Sequence, residues 1–338
     1  MQTESKRRRT WSQLSDLRRM PSDYEIVTHD ANYTARKGRS AALEQNSSSP
    51  MNLWYLTYRD KSPLELEDWT TFRDPDQLTY RRYVALQAEH ETATAAVLAK
   101  YAEVDHDRRL AAGWRGTLAA LFAPMRFPGH AVQMTYSYLV QIAPSSYISN
   151  CAAFAAADQL RLVSLVAYRT RELERGAPAE GFGKRERERW ERDPAWQGTR
   201  KALELALIAY DWAECFTAVN LVLRPTLDDI LLRQFAEVAQ ENGDDETFLL
   251  LSDLHADTER CRRWSAALAR HAVSGRAENA AVFRHWIERW EPRAEAAATG
   301  LAELLATLPE KPRSVADTAG AARRARRSLI AESEIAHA

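Results

Sequence analysis

From Ser145 to Arg175 the chain reads SSYISNCAAFAAADQLRLVSLVAYRTRELER, with no proline or glycine until Gly176 and with Pro144 just before it. Serine after a proline is a helix start signal, and glycine is a stop signal. At about 1.5 Å per residue such a helix would be some 45 Å long, far beyond the mean helix of globular proteins. A rod of that length must bury its apolar side along other rods, so this stretch points to a bundle of long helices. Glycine is scarce, 12 among 338 residues. With alanine, leucine, arginine and glutamate abundant, that scarcity favours helices over sheets.

Other segments agree. Residues 76–105 carry apolar positions at spacings of three and four without glycine or proline. "RRLAAGWRGTLAALFAPM" and "FPGHAVQMTYSYLVQIAP" read as shorter helices punctuated by proline. The charged stretch "GFGKRERERWERDP" separates two halves. Residues 195–225 are expected as a long helix stopped by Pro225, 226–243 as a second one from a Thr226 cap to Gly243, and 244–275 as a third. A last helix is expected to complete the domain at about residue 308. The fold class is therefore all-α, with a helical domain over 76–308. Residues 309–338 are polar, with "RRARR" at 323–327, and are expected to be a flexible tail.

Residues 1–75 do not read as helix. Prolines, asparagines and serines mix there with Trp11, Tyr24, Tyr33, Trp54, Tyr55, Tyr58 and Trp69. A loose segment has nowhere to bury aromatics. An extended arm laid across a surface, of this domain or of another chain, is expected. "DPDQLTYRRYVALQ" (74–87) then opens the first long helix. Tyr80, Arg81, Arg82 and Tyr83 are residue types favoured at protein interfaces, although an ordinary amphipathic helix start has the same spacing.

Several function classes are disfavoured. Lys and Arg number 46 against 47 Asp and Glu, for a net charge of −1, which does not suit a nucleic-acid grip. The basic runs "KRRR" and "RRARR" read as solvated ends or partner contacts. No run of about 18 apolar residues predicts a membrane span. The polar start lacks the apolar stretch of a secretory signal. Cys151, Cys215 and Cys261 are odd in number and far apart, which suits a reduced, cytoplasmic protein. No phosphate-binding loop, dinucleotide fingerprint or nucleophile elbow occurs.

One motif rises above this background. Four-helix di-iron proteins place a Glu and a His three residues apart on inward-facing helices, within an Asp-Glu-x-x-His frame that often has Arg before the His. Here Asp158-x-x-Arg161 keeps the frame, but Gln159 and Leu162 stand where Glu and His belong. Asp257-x-x-Arg260 repeats the frame on a second long helix, with Thr258 and Cys261 in the ligand positions. Neither pair offers the carboxylate and imidazole a hard di-iron centre needs, so no metal is expected there. Glu103-x-x-His106 and Glu334-x-x-His337 lie at helix or chain ends and cannot be expected to meet. Two readings remain beside a structural subunit. One is an independent di-iron oxidase using unusual ligands such as Glu89, Glu103, His106 and Glu214. The other is a helical adaptor for some other partner.

Longer strings carry a resemblance. "RRRTWSQLSDLRRMPSDYEIVTH", "SPMNLWYLTYRD", "DWTTFRDPDQLTYRRYV", "ISNCAAFAAADQLRLVSLVAYRT", "WERDPAWQG" and "DTERCRRWSAAL" resemble the beta subunits of bacterial multicomponent di-iron monooxygenases, the toluene, phenol, isoprene and alkene hydroxylases. The resemblance spans about residues 7–295. It implies a ferritin-like, ribonucleotide-reductase-like long-helix bundle with an extended N-terminal arm. It also implies a non-catalytic role beside an iron-bearing alpha subunit, within an assembly of two alpha, two beta and two gamma chains. An effector protein, a Rieske-type ferredoxin and a reductase are further implied partners. On this resemblance Trp11, Tyr24, Tyr33, Trp54, Tyr55, Trp69, Tyr80, Arg81, Arg82 and Tyr83 are expected at subunit interfaces. No cofactor is expected in this chain, with the di-iron centre in the alpha subunit.

Overall fold

The computed structural model describes residue 14, residues 19–31 and residues 50–335. Among them the regular structure is helical throughout, without strands. The main helices are α1 (Asp23–Thr28), α2 (Pro50–Tyr58), α3 (Tyr80–Glu103), α4 (residues 112–142), α5 (Ser146–Gly176), α6 (Pro194–Ala206), α7 (residues 212–241), α8 (Asp245–Gly275), α9 (Asn279–Ala306) and α10 (Val315–Glu332). Helices α4, α5, α7 and α8 form the bundle around the main core. Helix α4 packs along α5 and α7 along α8, while α9 lies across α6 and α7. Helix α5 is long and apolar enough to cross a membrane by length and composition, but more than half of that apolar stretch is buried inside the fold, and Asp158 and Arg169 of the same helix are buried too.

The expected break at Pro225 is not a break. Helix α7 runs through it, and the true interruption is earlier, at residues 207–211. There Asp211 caps α7 by accepting hydrogen bonds from the amides of Ala213 and Glu214 at 2.9 and 3.1 Å. Pro225 follows a π-helical stretch, Thr217–Leu223, and a second one spans Asp229–Gln234. Such bulges shift the hydrogen-bond ladder and so accommodate a residue that has no N–H to donate. Thr226 is no cap either, since its hydroxyl donates to the Val222 carbonyl at 2.9 Å within the helix.

The C-terminal segment also departs from expectation. Residues 315–332 are not a flexible tail but helix α10, capped by Ser314 and packed on α7 and α9. Ala322 and Leu329 are buried, and so is Arg326. The Arg326 guanidinium donates to Glu295 at 2.5 Å and to the Thr226 hydroxyl at 3.0 Å. Arg323 holds the same carboxylate at 3.0 Å. Part of the basic run is thus a clamp on α9. Those hydrogen bonds from Arg323 and Arg326 hold Glu295 down at about 2.

The described part of the N-terminal region folds onto its own bundle. In α1 Ser22 and Glu25 form a capping box, and buried Glu25 accepts from Arg19 and Arg73. Tyr24 packs on Tyr147 and Trp69 on Trp212, with ring centroids 5.6 and 4.9 Å apart. Tyr55 is buried beneath the Arg59 guanidinium. Tyr24, Tyr55 and Trp69 therefore serve this chain's own packing and offer no surface to another subunit. Trp11 and Tyr33 lie outside the described residues.

Candidate functional site

The two Asp-x-x-Arg frames meet in the bundle, and they meet crosswise. Arg260 of α8 pairs with Asp158 of α5. Arg161 of α5 pairs with Asp257 of α8 at 3.1 Å. Each arginine thus neutralises the aspartate of the other frame. Helix α3 closes the arrangement from one side. Gln87 donates one amide nitrogen to both Asp158 and Asp257, at 3.2 and 3.1 Å. The Tyr83 hydroxyl donates to Asp158 at 3.0 Å, while its ring stacks on Phe154 at 4.5 Å. Tyr83 is accordingly internal rather than an interface residue. Arg161 extends the network to Asp253 and to Glu91. Burial pushes the Asp158 carboxyl up to about 6, against the pull of Arg260.

The four ligand positions are filled by side chains with other tasks. Leu162 faces Gly129 of α4, where a Cβ would lie 2.8 Å from Leu162 Cδ2. A side chain at 129 would require the Leu162 side chain to shift. Gln159 is buried beside the same point. The Thr258 hydroxyl donates to the His255 carbonyl at 2.7 Å in its own helix. The Cys261 thiol lies 3.2 Å from the Tyr136 hydroxyl, which also accepts from Arg224 at 3.2 Å. Asn220, in the first π stretch, donates to Ser265 at 2.8 Å. A cavity of about 200 Å³ adjoins this cluster, lined among others by Arg224, His255, Thr258, Cys261 and Leu329 of α10.

This donor set does not fit an iron pair. The Asp158 and Asp257 carboxylates are engaged by arginines, and a carboxamide, an alkyl group, a hydroxyl and a thiol stand where carboxylates and imidazoles would be needed. The alternative ligands do not converge. Glu89 and Glu103 are exposed on α3, Glu214 accepts from Trp290 at 3.1 Å, and His106 faces Asp244 at 3.1 Å. Among the described residues no three His, Cys, Asp or Glu side chains are placed to hold a metal ion.

A second buried charge cluster joins the ends of three helices, and the sequence reading missed it. Arg169 of α5 is almost fully buried. It donates both arms to Asp107 and meets Glu246 of α8 at 2.9 Å. Beside it Asp244 accepts from Trp114 Nε1 at 2.8 Å and from the Thr247 amide at 3.0 Å. Burial pushes Glu246 up to about 7. The hydrogen bond to Asp244 raises His106 above its usual value.

These shifts fix a sign. Asp158, Glu246 and His106 all have raised values in the folded chain. Their contributions to stability are complete below their unfolded values and are lost as pH rises through the folded ones. We therefore expect the isolated chain to unfold at lower urea concentration at pH 8 than at pH 5.5. Glu246→Gln should flatten that slope. A midpoint that rises steadily from pH 5.5 to 8 would contradict the assignment.

With this geometry in place, residues 54–275 match the model of the methane, phenol and alkene hydroxylase family. The chain is 41% identical over 308 residues to the hydroxylase component subunit beta of the toluene-4-monooxygenase system of Ectopseudomonas mendocina, covering 91% of this chain and 94% of that one. A solved structure of toluene 4-monooxygenase, with toluene bound in its resting active site, contains a chain that superposes with a TM-score of 0.83. The two are 40% identical, over 89% of this chain and 99% of that one. The likeness extends more weakly to the oxygenase component subunit alpha of the alkene monooxygenase system of Xanthobacter autotrophicus, 23% identical over 220 residues, 61% of this chain and 44% of that one. The chain belongs to the methane, phenol and alkene hydroxylase family. Within it, the chain is of the beta-subunit type, a component of a multicomponent monooxygenase with a ferritin-like helical fold.

Proposed function

We propose that this chain is the non-catalytic beta subunit of a di-iron hydroxylase that oxidises a small hydrocarbon, a toluene-type aromatic or an alkene, with O₂ and electrons derived from NADH. It supports an alpha subunit that holds the irons and the substrate pocket, in an assembly of two alpha, two beta and two gamma chains. An effector protein, a Rieske-type ferredoxin and a reductase complete the system, in the cytoplasm. The observation that carries this reading is the crosswise pairing of Asp158 with Arg260 and of Asp257 with Arg161. It turns what would be the ligand-bearing helices into a closed structural joint.

The test is iron per chain, for this protein purified alone and after co-expression with its alpha and gamma partners. Negligible iron alone and about two irons per alpha in the complex, the content of a di-iron carboxylate site, are expected. Stoichiometric iron in the isolated chain would overturn the reading and return attention to Glu89, Glu103, His106 and Glu214.

A further inference from the structure

The three cysteines are all buried, but in unlike surroundings. The charged groups near Cys151 and Cys215 are carboxylates, Asp74 for the first and Asp211 with Glu214 for the second. Burial pushes the Cys151 thiol up and the Cys215 thiol up to about 12, which suppresses the thiolate, the form that reacts. Cys261 of α8 sits instead among hydrogen-bond donors. The Tyr136 hydroxyl lies 3.2 Å from Sγ and the Asn220 amide nitrogen 3.7 Å from it. Buried Arg224 donates to the Tyr136 oxygen, so the hydroxyl proton is left for the sulfur. Donors of this kind, with a cation behind them, favour a thiolate.

Cys261 also lines the cavity of about 200 Å³ between α7, α8 and α10, whereas Cys151 and Cys215 do not. Two polar atoms of its lining residues have no partner, the Asn220 carboxamide oxygen and Arg224 Nε. Both residues are almost fully buried, Asn220 at 2% and Arg224 at 3% exposure. An unpaired buried polar atom is costly. The charges around the cavity are already matched: Arg224 by Asp228, Arg233 by Asp229 and Arg262 by Glu332. A guest that satisfies the two bare atoms is therefore small and neutral, donating to Asn220 Oδ1 and accepting from Arg224 Nε.

We propose that Cys261 is a peroxide-reactive thiol, with hydrogen peroxide as the guest that this cavity admits. The inference goes beyond the subunit reading and does not depend on it. Hydrogen peroxide shares the small size and the donor-and-acceptor character of water, and so suits a site that suits water. It adds an O–O bond that a thiolate attacks. In the reaction Cys261 Sγ bonds to one peroxide oxygen as the O–O bond breaks. The thiol proton leaves with the departing oxygen as water. The sulfur is oxidised to a sulfenic acid and the peroxide is reduced. Arg224 and Tyr136 act through hydrogen bonds, the first on the oxygen of the second, and the second on the sulfur. With Cys151 and Cys215 away from the cavity, no second thiol lines it, so the sulfenic acid is expected to persist and not to close into a disulfide.

The experiment exposes the folded full-length chain to hydrogen peroxide for increasing times and stops each reaction with catalase. The chain is then unfolded in urea with dimedone, which tags sulfenic acids, and each cysteine peptide is quantified by mass spectrometry. Cys261 should be oxidised at least about tenfold faster than Cys151 or Cys215, because their thiolates are suppressed by burial. In chain unfolded before the peroxide pulse the three rates should converge. Ala325 is half-buried on α10 and lines the cavity, so Ala325→Trp should fill it and slow Cys261 without changing the other two cysteines. Tyr136→Phe, which keeps the ring and removes the donor, should also slow Cys261, and it decides the question if the tryptophan variant does not fold. Equal oxidation of the three cysteines in the folded chain overturns the proposal. So does a Cys261 rate that neither substitution lowers.

Discussion

Replacing Arg260 with methionine should destabilise the isolated chain by about 3–5 kcal/mol, because it leaves Asp158 in the core without its counter-charge. Asp158 is 3% exposed and would keep only Tyr83 and Gln87 as partners. The cost should fall sharply in an Asp158→Asn background, where no buried charge is stranded. A double-mutant cycle measured by urea denaturation is therefore expected to show a coupling of about 1–3 kcal/mol between 158 and 260. The same cycle for Asp257 and Arg161 should give a smaller value, since Arg161 also reaches Asp253 and Glu91. Additive effects at 158 and 260 would mean that the pairing contributes nothing beyond its parts.

Arg169→Met should be at least as damaging, again about 3–5 kcal/mol. The side chain is 1% exposed and satisfies Asp107 and Glu246 together, with Glu172 at 3.6 Å. Its removal leaves several carboxylates facing one another. They can relieve their repulsion only by taking up protons, so the loss should be larger at pH 8 than at pH 5. That pH dependence separates the electrostatic role from a simple packing defect, which would cost the same at both values. Arg169→Lys should recover only part of the loss, because an ammonium cannot meet two carboxylates with a planar fork. Equal destabilisation by Arg169→Met at the two pH values would rule out the electrostatic account.

Much of the fold was legible because long runs without proline or glycine leave a chain few options. The two frames were legible because an Asp and an Arg three apart in an otherwise apolar helix demand partners. Their crosswise pairing was not, since both residues also lie within reach of each other on their own helix, as Arg260 and Asp257 do at 3.4 Å. The ends of the chain were misread for a common reason. Polar composition at 309–338 hid a stripe of Ala322, Arg326 and Leu329, in which a buried arginine takes the place of an apolar residue. Among the N-terminal aromatics, Tyr24, Tyr55 and Trp69 lie against this chain's own bundle. Ser22 and Glu25 carried a capping-box signal that would have marked α1. Asp211, ahead of "WAE", carried the signal that would have placed the break before Pro225.

The two π stretches of α7 have a consequence for anyone numbering faces on this chain. Each inserts the equivalent of one residue into the α repeat, and one residue is worth about 100° of rotation. A helical wheel drawn from Trp212 onward is correct as far as Phe216, is out by roughly a quarter-turn beyond Leu223, and is out by more than half a turn beyond Gln234. Asn220 and Arg224 reach the Cys261 cluster, and Phe235 and Val238 reach the core, from a single rod whose outward side changes twice. Wheel-based choices of surface positions for labels or tags must be made separately for each of its three α segments.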